Sequence, residues 1–131
     1  MEIQIKITGG LLIALALIHV IFPSYFKWKT ELASLSIMNR QMMYIHSLFI
    51  AITVLLMGLL CLTSATELYS TALGKRISLG LMLFWGLRMT LQIFGYSSKL
   101  WRGKIFETTV HIVFSLFWLW LVFLFYRCAF V

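Results

Sequence analysis

The chain has 131 residues, of which 62% are hydrophobic and only 11% charged, whereas an ordinary soluble domain carries roughly one-quarter charged residues. Too little polar chain remains for a separate soluble domain. A net charge of +7 then reads as contact with lipid head groups, where each basic residue contributes about 1 kcal/mol, and not as nucleic-acid binding.

The charges are segregated, and the runs between them define the elements. Ile7 to Phe26 has no Lys, Arg, Asp or Glu; neither does Gln41 to Thr66. Ile77 to Ser98 holds Arg88 alone, and Thr108 to Tyr126 is clean again. Each run matches the roughly 18–20 residues that cross about 30 Å of hydrocarbon as a helix. The expected fold is all-α: an integral membrane protein forming an antiparallel four-helix transmembrane bundle, one domain over residues 1–131 with spans at about 7–26, 41–63, 77–97 and 108–127. Gly9, Gly10, Gly58, Gly80 and Gly86 allow close helix approach. No internal repeat stands out.

The first span could be read as a signal peptide. Glu2 sits before the apolar run beside Lys6, and Pro23-Ser24-Tyr25-Phe26 follows where a small-residue cleavage site would be needed, so the helix is expected to stay in the mature protein. The link from Lys27 to Arg40 is the longest polar insert. Thr30 is expected to cap a short helix there, with Leu32, Leu35 and Met38 as its apolar stripe and Trp28 as an interfacial anchor. The next link, about Glu67 to Arg76, carries Gly74. The last, Ser97 to Lys104, is basic around Trp101.

Lys27, Lys29, Arg40, Lys99, Arg102 and Lys104 fall on the side of the first and third links. Lys6, Lys75, Arg76 and Arg127 fall on the side of both termini. Six against four places the termini on the non-cytoplasmic side of an inner or plasma membrane by the positive-inside rule. Cys61 and Cys128 lack a CxxC partner and read as small inert hydrophobes in place of a disulfide. Met42, Met43 and Met57 read as gap-filling core, and Trp118 and Trp120, deep in the fourth span, as packing or lipid-facing bulk.

The chemistry-bearing residues lie within the spans. His19, His46 and His111 are the three histidines of the chain, and each lies in an apolar run. Counting about 1.5 Å per residue from the nearest marker on the first-link side puts all three some 6–10 Å deep, with Gln92 about 10 Å deep and Arg88 one turn deeper. Asn39, His46 and Thr53 form a stripe on one helix, Glu107, His111 and Ser115 on another, and Arg88 with Gln92 on a third. Polar stripes in hydrocarbon turn inward for want of partners.

Three ligand chemistries suit such a cluster. A metal reading takes His19, His46 and His111 as ligands with Glu107 as a fourth, a set suited to Zn, Cu or Fe. A b-type haem reading takes His46 and His111 as axial ligands, with Arg88 and Gln92 beside the haem. The architecture is that of four-helix membrane haem modules, which carries no function by itself. A quinone or lipid-ligand reading has a histidine and Arg88 on the head group, with Trp85 and Phe84 along the tail. Against these stands a structural reading, in which the polar side chains tie helices together at about 0.6 kcal/mol each in a non-catalytic subunit of a membrane complex. An oligomeric transporter is the remaining class. It lacks a mid-membrane acid, since Glu2, Glu31, Glu67 and Glu107 all sit near boundaries.

Overall fold

The computed structural model describes residues 2–95 and 105–130. The basic third link, with Lys99, Trp101, Arg102 and Lys104, lies outside the described residues. The elements are α1 (Glu2–Tyr25), α2 (Trp28–Glu31), α3 (Ile37–Thr63), α4 (Glu67–Ser70), α5 (Ala72–Thr90), a π-helical turn (Leu91–Gly95) and α6 (Ile105–Phe130). Four segments, α1, α3, α5 with its π-turn, and α6, are long and apolar enough to cross a membrane. The chain is an all-α polytopic membrane protein.

Each long helix overruns its expected span by several residues at one end or both. The apolar run measures hydrocarbon thickness, while the helix continues into the head-group layer, where charges assist it. Glu2 in the first turn of α1 pairs with Lys6 one turn on at 3.2 Å, and an acid there also suits the helix dipole.

By internal packing the chain forms two compact units, residues Met1–Ala65 and Thr66–Val131. In the first, α1 packs along α3. The buried residues of α1 are Ile5, Thr8, Gly9, Leu12, Leu15 and Ala16, and those of α3 are Ala51, Val54, Gly58 and Cys61. Both sets follow alternating steps of about three and four residues, the seam of side-by-side helices. At its centre the two backbones nearly touch. A Cβ on Gly9 would lie 2.8 Å from the Gly58 carbonyl oxygen and 3.0 Å from Cys61 Cβ, and one on Gly58 would lie 2.7 Å from both the Gly9 carbonyl oxygen and Ile13 Cγ1. Gly9 therefore faces residues beyond Gly58 while Ile13 faces Gly58 itself, so the two helices of this unit run in opposite senses. Lipid gives little hydrophobic drive between helices; close dispersion contact, which glycine permits, supplies it.

The first link differs from expectation. Thr30 caps nothing: the short helix opens at Trp28, after Lys27 turns the chain in the left-handed region at φ 53° and ψ 48°. It ends after one turn, so Leu32, Leu35 and Met38 never form a single stripe, and Met38 belongs to the first turn of α3. Ser36 is the true cap, its Oγ accepting from the Asn39 amide at 3.2 Å. Trp28 is 8% exposed and lies edge-on to Tyr44 at 5.3 Å; it docks the link onto α3.

In the second unit α5 packs on α6 and on α4. Gly74 is dictated by contact, since any Cβ there would collide with the Glu67 carbonyl. Thr71 caps α5, accepting from the Gly74 amide at 2.9 Å, and donates its hydroxyl to the Glu67 carbonyl at 2.8 Å. Buried Ser78 donates to the Leu68 carbonyl at 2.9 Å, and the Cys128 thiol is its other neighbour. Cys61 and Cys128 are buried thiols outside any disulfide. Pairs at Ser78 and Cys128, Trp85 and Trp118, and Gln92 and His111 descend on one helix as they climb on the other, so α5 and α6 also run in opposite senses.

Outside these seams, large apolar side chains are mostly exposed: Leu17, Val20, Ile21, Phe49, Leu56, Leu83, Leu87, Leu116 and Phe123 among them. Such a surface suits contact with a lipid bilayer and not with water.

Candidate functional site

Arg88, Gln92 and His111 meet in the second unit. Arg88 lies in the last turn of α5, Gln92 sits in the π-turn just beyond, and His111 faces them from α6. An Arg88 guanidinium nitrogen donates to Gln92 Oε1 at 3.2 Å, and Gln92 Nε2 lies 3.0 Å from His111 Nδ1. Gln92 is 7% exposed, so this polarity matters. A guanidinium can only donate, which commits the amide oxygen to Arg88. The amide nitrogen can then only donate, which makes His111 Nδ1 the acceptor. A neutral His111 consequently carries its proton on Nε2. Single extra-residue turns such as Leu91–Gly95 recur at functional sites, and this one carries the central member of the chain.

A deep aromatic stack adjoins the three. Trp85 and Trp118 are 2% and 3% exposed, and their rings stack at 5.1 Å with 10° between planes. The Arg88 guanidinium carbon lies 5.1 Å from the Trp118 ring centroid, within cation–π range. Phe114 stacks on Trp118 at 5.6 Å, and Phe84 meets Trp85 edge-on at 5.0 Å. The indole Nε1 of each tryptophan is buried with no hydrogen-bond partner among the described residues. Buried indoles usually find one.

The remaining candidates take no part in these hydrogen bonds. His19 belongs to the first unit, half-buried, with Nδ1 2.8 Å from the Leu15 carbonyl of its own helix and its ring tilted against Phe22 at 4.7 Å. A carbonyl only accepts, so Nδ1 bears the proton here, the reverse of His111. Pro23, within α1, lacks the amide that would serve the His19 carbonyl. His46, also in the first unit, is exposed, as are Asn39 and Thr53 of its stripe; the Thr53 hydroxyl bonds back to Phe49. Glu107 is exposed at the start of α6, and Ser115 donates back to the His111 carbonyl at 2.7 Å.

Among the described residues no group of three or more His, Cys, Asp or Glu side chains is placed to hold a metal ion. The hydrogen bonding at His111 is also the inverse of a metal ligand's. A ligating imidazole donates its second ring N–H to a carboxylate or carbonyl, whereas His111 Nδ1 receives from an amide. The residue set suits binding of acceptor oxygens: a guanidinium, an imidazole Nε2–H and two indole N–H groups, all donors.

Sequence reasoning found Arg88, Gln92 and His111 but assigned Trp118 to packing and Trp85 to a ligand tail. Trp85 and Gln92 are seven residues apart, and so are His111 and Trp118. Those matching intervals on two neighbouring helices were the available signal. Comparison with known protein families, curated proteins and solved structures returns no match.

Proposed function

We propose that this membrane protein binds a lipid-soluble ligand by an oxygen-bearing head group at Arg88, Gln92 and His111. The observation that carries the reading is the fixed direction of the Arg88–Gln92–His111 hydrogen bonds. It makes the set donor-rich, with the buried indole N–H groups of Trp85 and Trp118 beside it, and carbonyl or ester oxygens are the acceptors that dissolve in hydrocarbon. Phe84 and Leu87, exposed on the same helix, offer an apolar surface for a tail. A metal or haem role for His19, His46, His111 and Glu107 has less support, because His111 is held with a proton where a ligating lone pair is needed.

Organic extraction of protein purified in mild detergent, followed by mass spectrometry, tests this. One oxygenated lipid-soluble compound should co-purify in near-stoichiometric amount and be lost from Arg88→Met. A Soret band or stoichiometric metal in the wild-type protein would overturn it. A second reading, structural attachment within a membrane complex, draws on Gln92 bridging α5 to α6. In that case Arg88→Met and Gln92→Leu would lower stability with no compound released from the wild type.

A further inference from the structure

Gln92 offers one acceptor oxygen, and it stands between two side chains that can carry positive charge. Arg88 takes that oxygen at 3.2 Å, and the amide nitrogen meets His111 Nδ1 at 3.0 Å. The pattern is complete only while His111 is neutral. A proton added to the ring goes to Nδ1, the nitrogen that lacks one, and an N–H there points at an N–H of the amide. Gln92 is buried, so water cannot take over a bond that is given up.

The amide has a way out, because half a turn about its last bond exchanges oxygen for nitrogen without a change of shape. Oε1 then accepts from the imidazolium in a charge-assisted bond, and the NH2 group faces Arg88. Of the two cations, Arg88 loses less. Its guanidinium has five donors, lies over the Trp118 ring at 5.1 Å and has a further partner besides. His111 also has a further partner; the competition for the amide concerns Nδ1 alone.

Few other charges bear on the exchange. The elements packed on α6 in this unit are α5, the π-turn and α4. Arg88 is the group that α5 brings to His111, and the π-turn carries no ionisable residue. Glu67 and Tyr69 of α4, with Lys75 and Arg76 of α5, belong to the end where Ser78 meets Cys128, about 25 Å along α6 from His111. On α6 itself Glu107 is exposed one turn before His111. His111 is half-buried and about two turns from the start of α6, close enough to the helix end to exchange a proton with water.

We propose that Gln92 is an acid-operated latch: protonation of His111 turns the amide over, moves its oxygen from Arg88 to His111, and detaches the guanidinium from the π-turn. The latch needs no bound ligand, so it is independent of the head-group reading.

The test is magnetic resonance of the full chain, labelled with carbon-13 and nitrogen-15, in phosphatidylcholine liposomes. Spectra are taken stepwise between about pH 8 and pH 5, the interval in which histidine exchanges its proton. At the alkaline end a nitrogen–nitrogen coupling should run across the Gln92–His111 hydrogen bond, since it exists only while the amide nitrogen donates to the ring. On acidification that coupling should disappear, Nδ1 should gain a proton, and the Arg88 guanidinium signals should shift with the same midpoint. In His111→Asn, whose side-chain oxygen still accepts from Gln92 but takes no proton, the Arg88 signals should hold still. A coupling that persists at the acid end overturns the latch, and so does one that vanishes while Arg88 stays unmoved; the wild-type protein alone decides both. Arg88 signals that shift equally in folded His111→Asn overturn it as well, because the proton then acts elsewhere.

Discussion

Replacing Gly58 with alanine probes the close crossing of α1 and α3. The added methyl would sit 2.7 Å from the Gly9 carbonyl oxygen, 2.7 Å from Ile13 Cγ1 and 3.1 Å from the Ile13 amide nitrogen. Two of these three are backbone atoms and cannot rotate away. Restoring ordinary contact of about 3.5 Å requires the helices to part by about 0.8 Å, and a gap of that size forfeits a quarter to a half of each dispersion contact along the seam. Overpacking of this kind costs about 1–3 kcal/mol. Gly10, the next residue on α1, has nothing within 4 Å of its Cβ position. Gly10→Ala should therefore be silent or slightly stabilising, by up to about 1 kcal/mol from helix propensity. Reversible unfolding in mixed micelles with increasing dodecyl sulfate reads both variants against wild type. Gly58→Ala should unfold at clearly lower denaturant and Gly10→Ala should not. Indistinguishable midpoints for the two would refute the backbone contact between Gly9 and Gly58 and the packing argument built on it.

Lys27 holds a left-handed backbone at φ 53°, so Lys27→Gly should raise stability by about 1 kcal/mol, seen as a higher thermal midpoint; a fall would show that the lysine side chain matters more than its backbone. Ser78→Ala strips the Leu68 carbonyl of its buried donor and should cost about 1–3 kcal/mol, with faster amide exchange confined first to α4; unchanged exchange there would remove the hydroxyl's anchoring role. Gln92→Glu replaces the amide donor with a second acceptor, so His111 should move its proton to Nδ1. Nitrogen-15 spectra of histidine-labelled protein distinguish the tautomers, and a His111 signal already of the Nδ1–H form in wild type would refute the hydrogen-bond direction assigned to Gln92.

The four helices were legible because charge-free runs of spanning length admit few other structures in lipid. Their ends were less so: Glu2–Lys6 and Lys75–Arg76 bound the hydrocarbon, not the helix, and hydropathy measures the former. Short-range chemistry misled at Thr30, where a left-handed Lys27 starts the turn three residues early and Ser36 caps the helix that follows. At the candidate site, the spacing of Arg88, Gln92 and His111 indicated a shared face. Spacing alone could not give the direction of the hydrogen bonds, which depends on 3 Å geometry and on which atoms can donate. Nor could it separate His46 from His111: both interrupt apolar runs, yet one is exposed and the other bonded to a neighbouring helix. Trp118 reads in the sequence as packing or lipid-facing bulk, and only its stacking against Trp85 and its contact with Arg88 distinguish it.

The boundary after Ala65 bears on how the protein is made. Once the residues up to Ala65 have entered the membrane, α1 has its glycine-mated partner α3, and nothing later in the chain is required for those two to associate. The second pair likewise carries its own clamp, from the α4 corner to the glutamine bridge. Insertion can therefore proceed as two successive hairpins, each leaving the translocon with its backbone close-packed, so an unpaired span need linger in the bilayer only briefly.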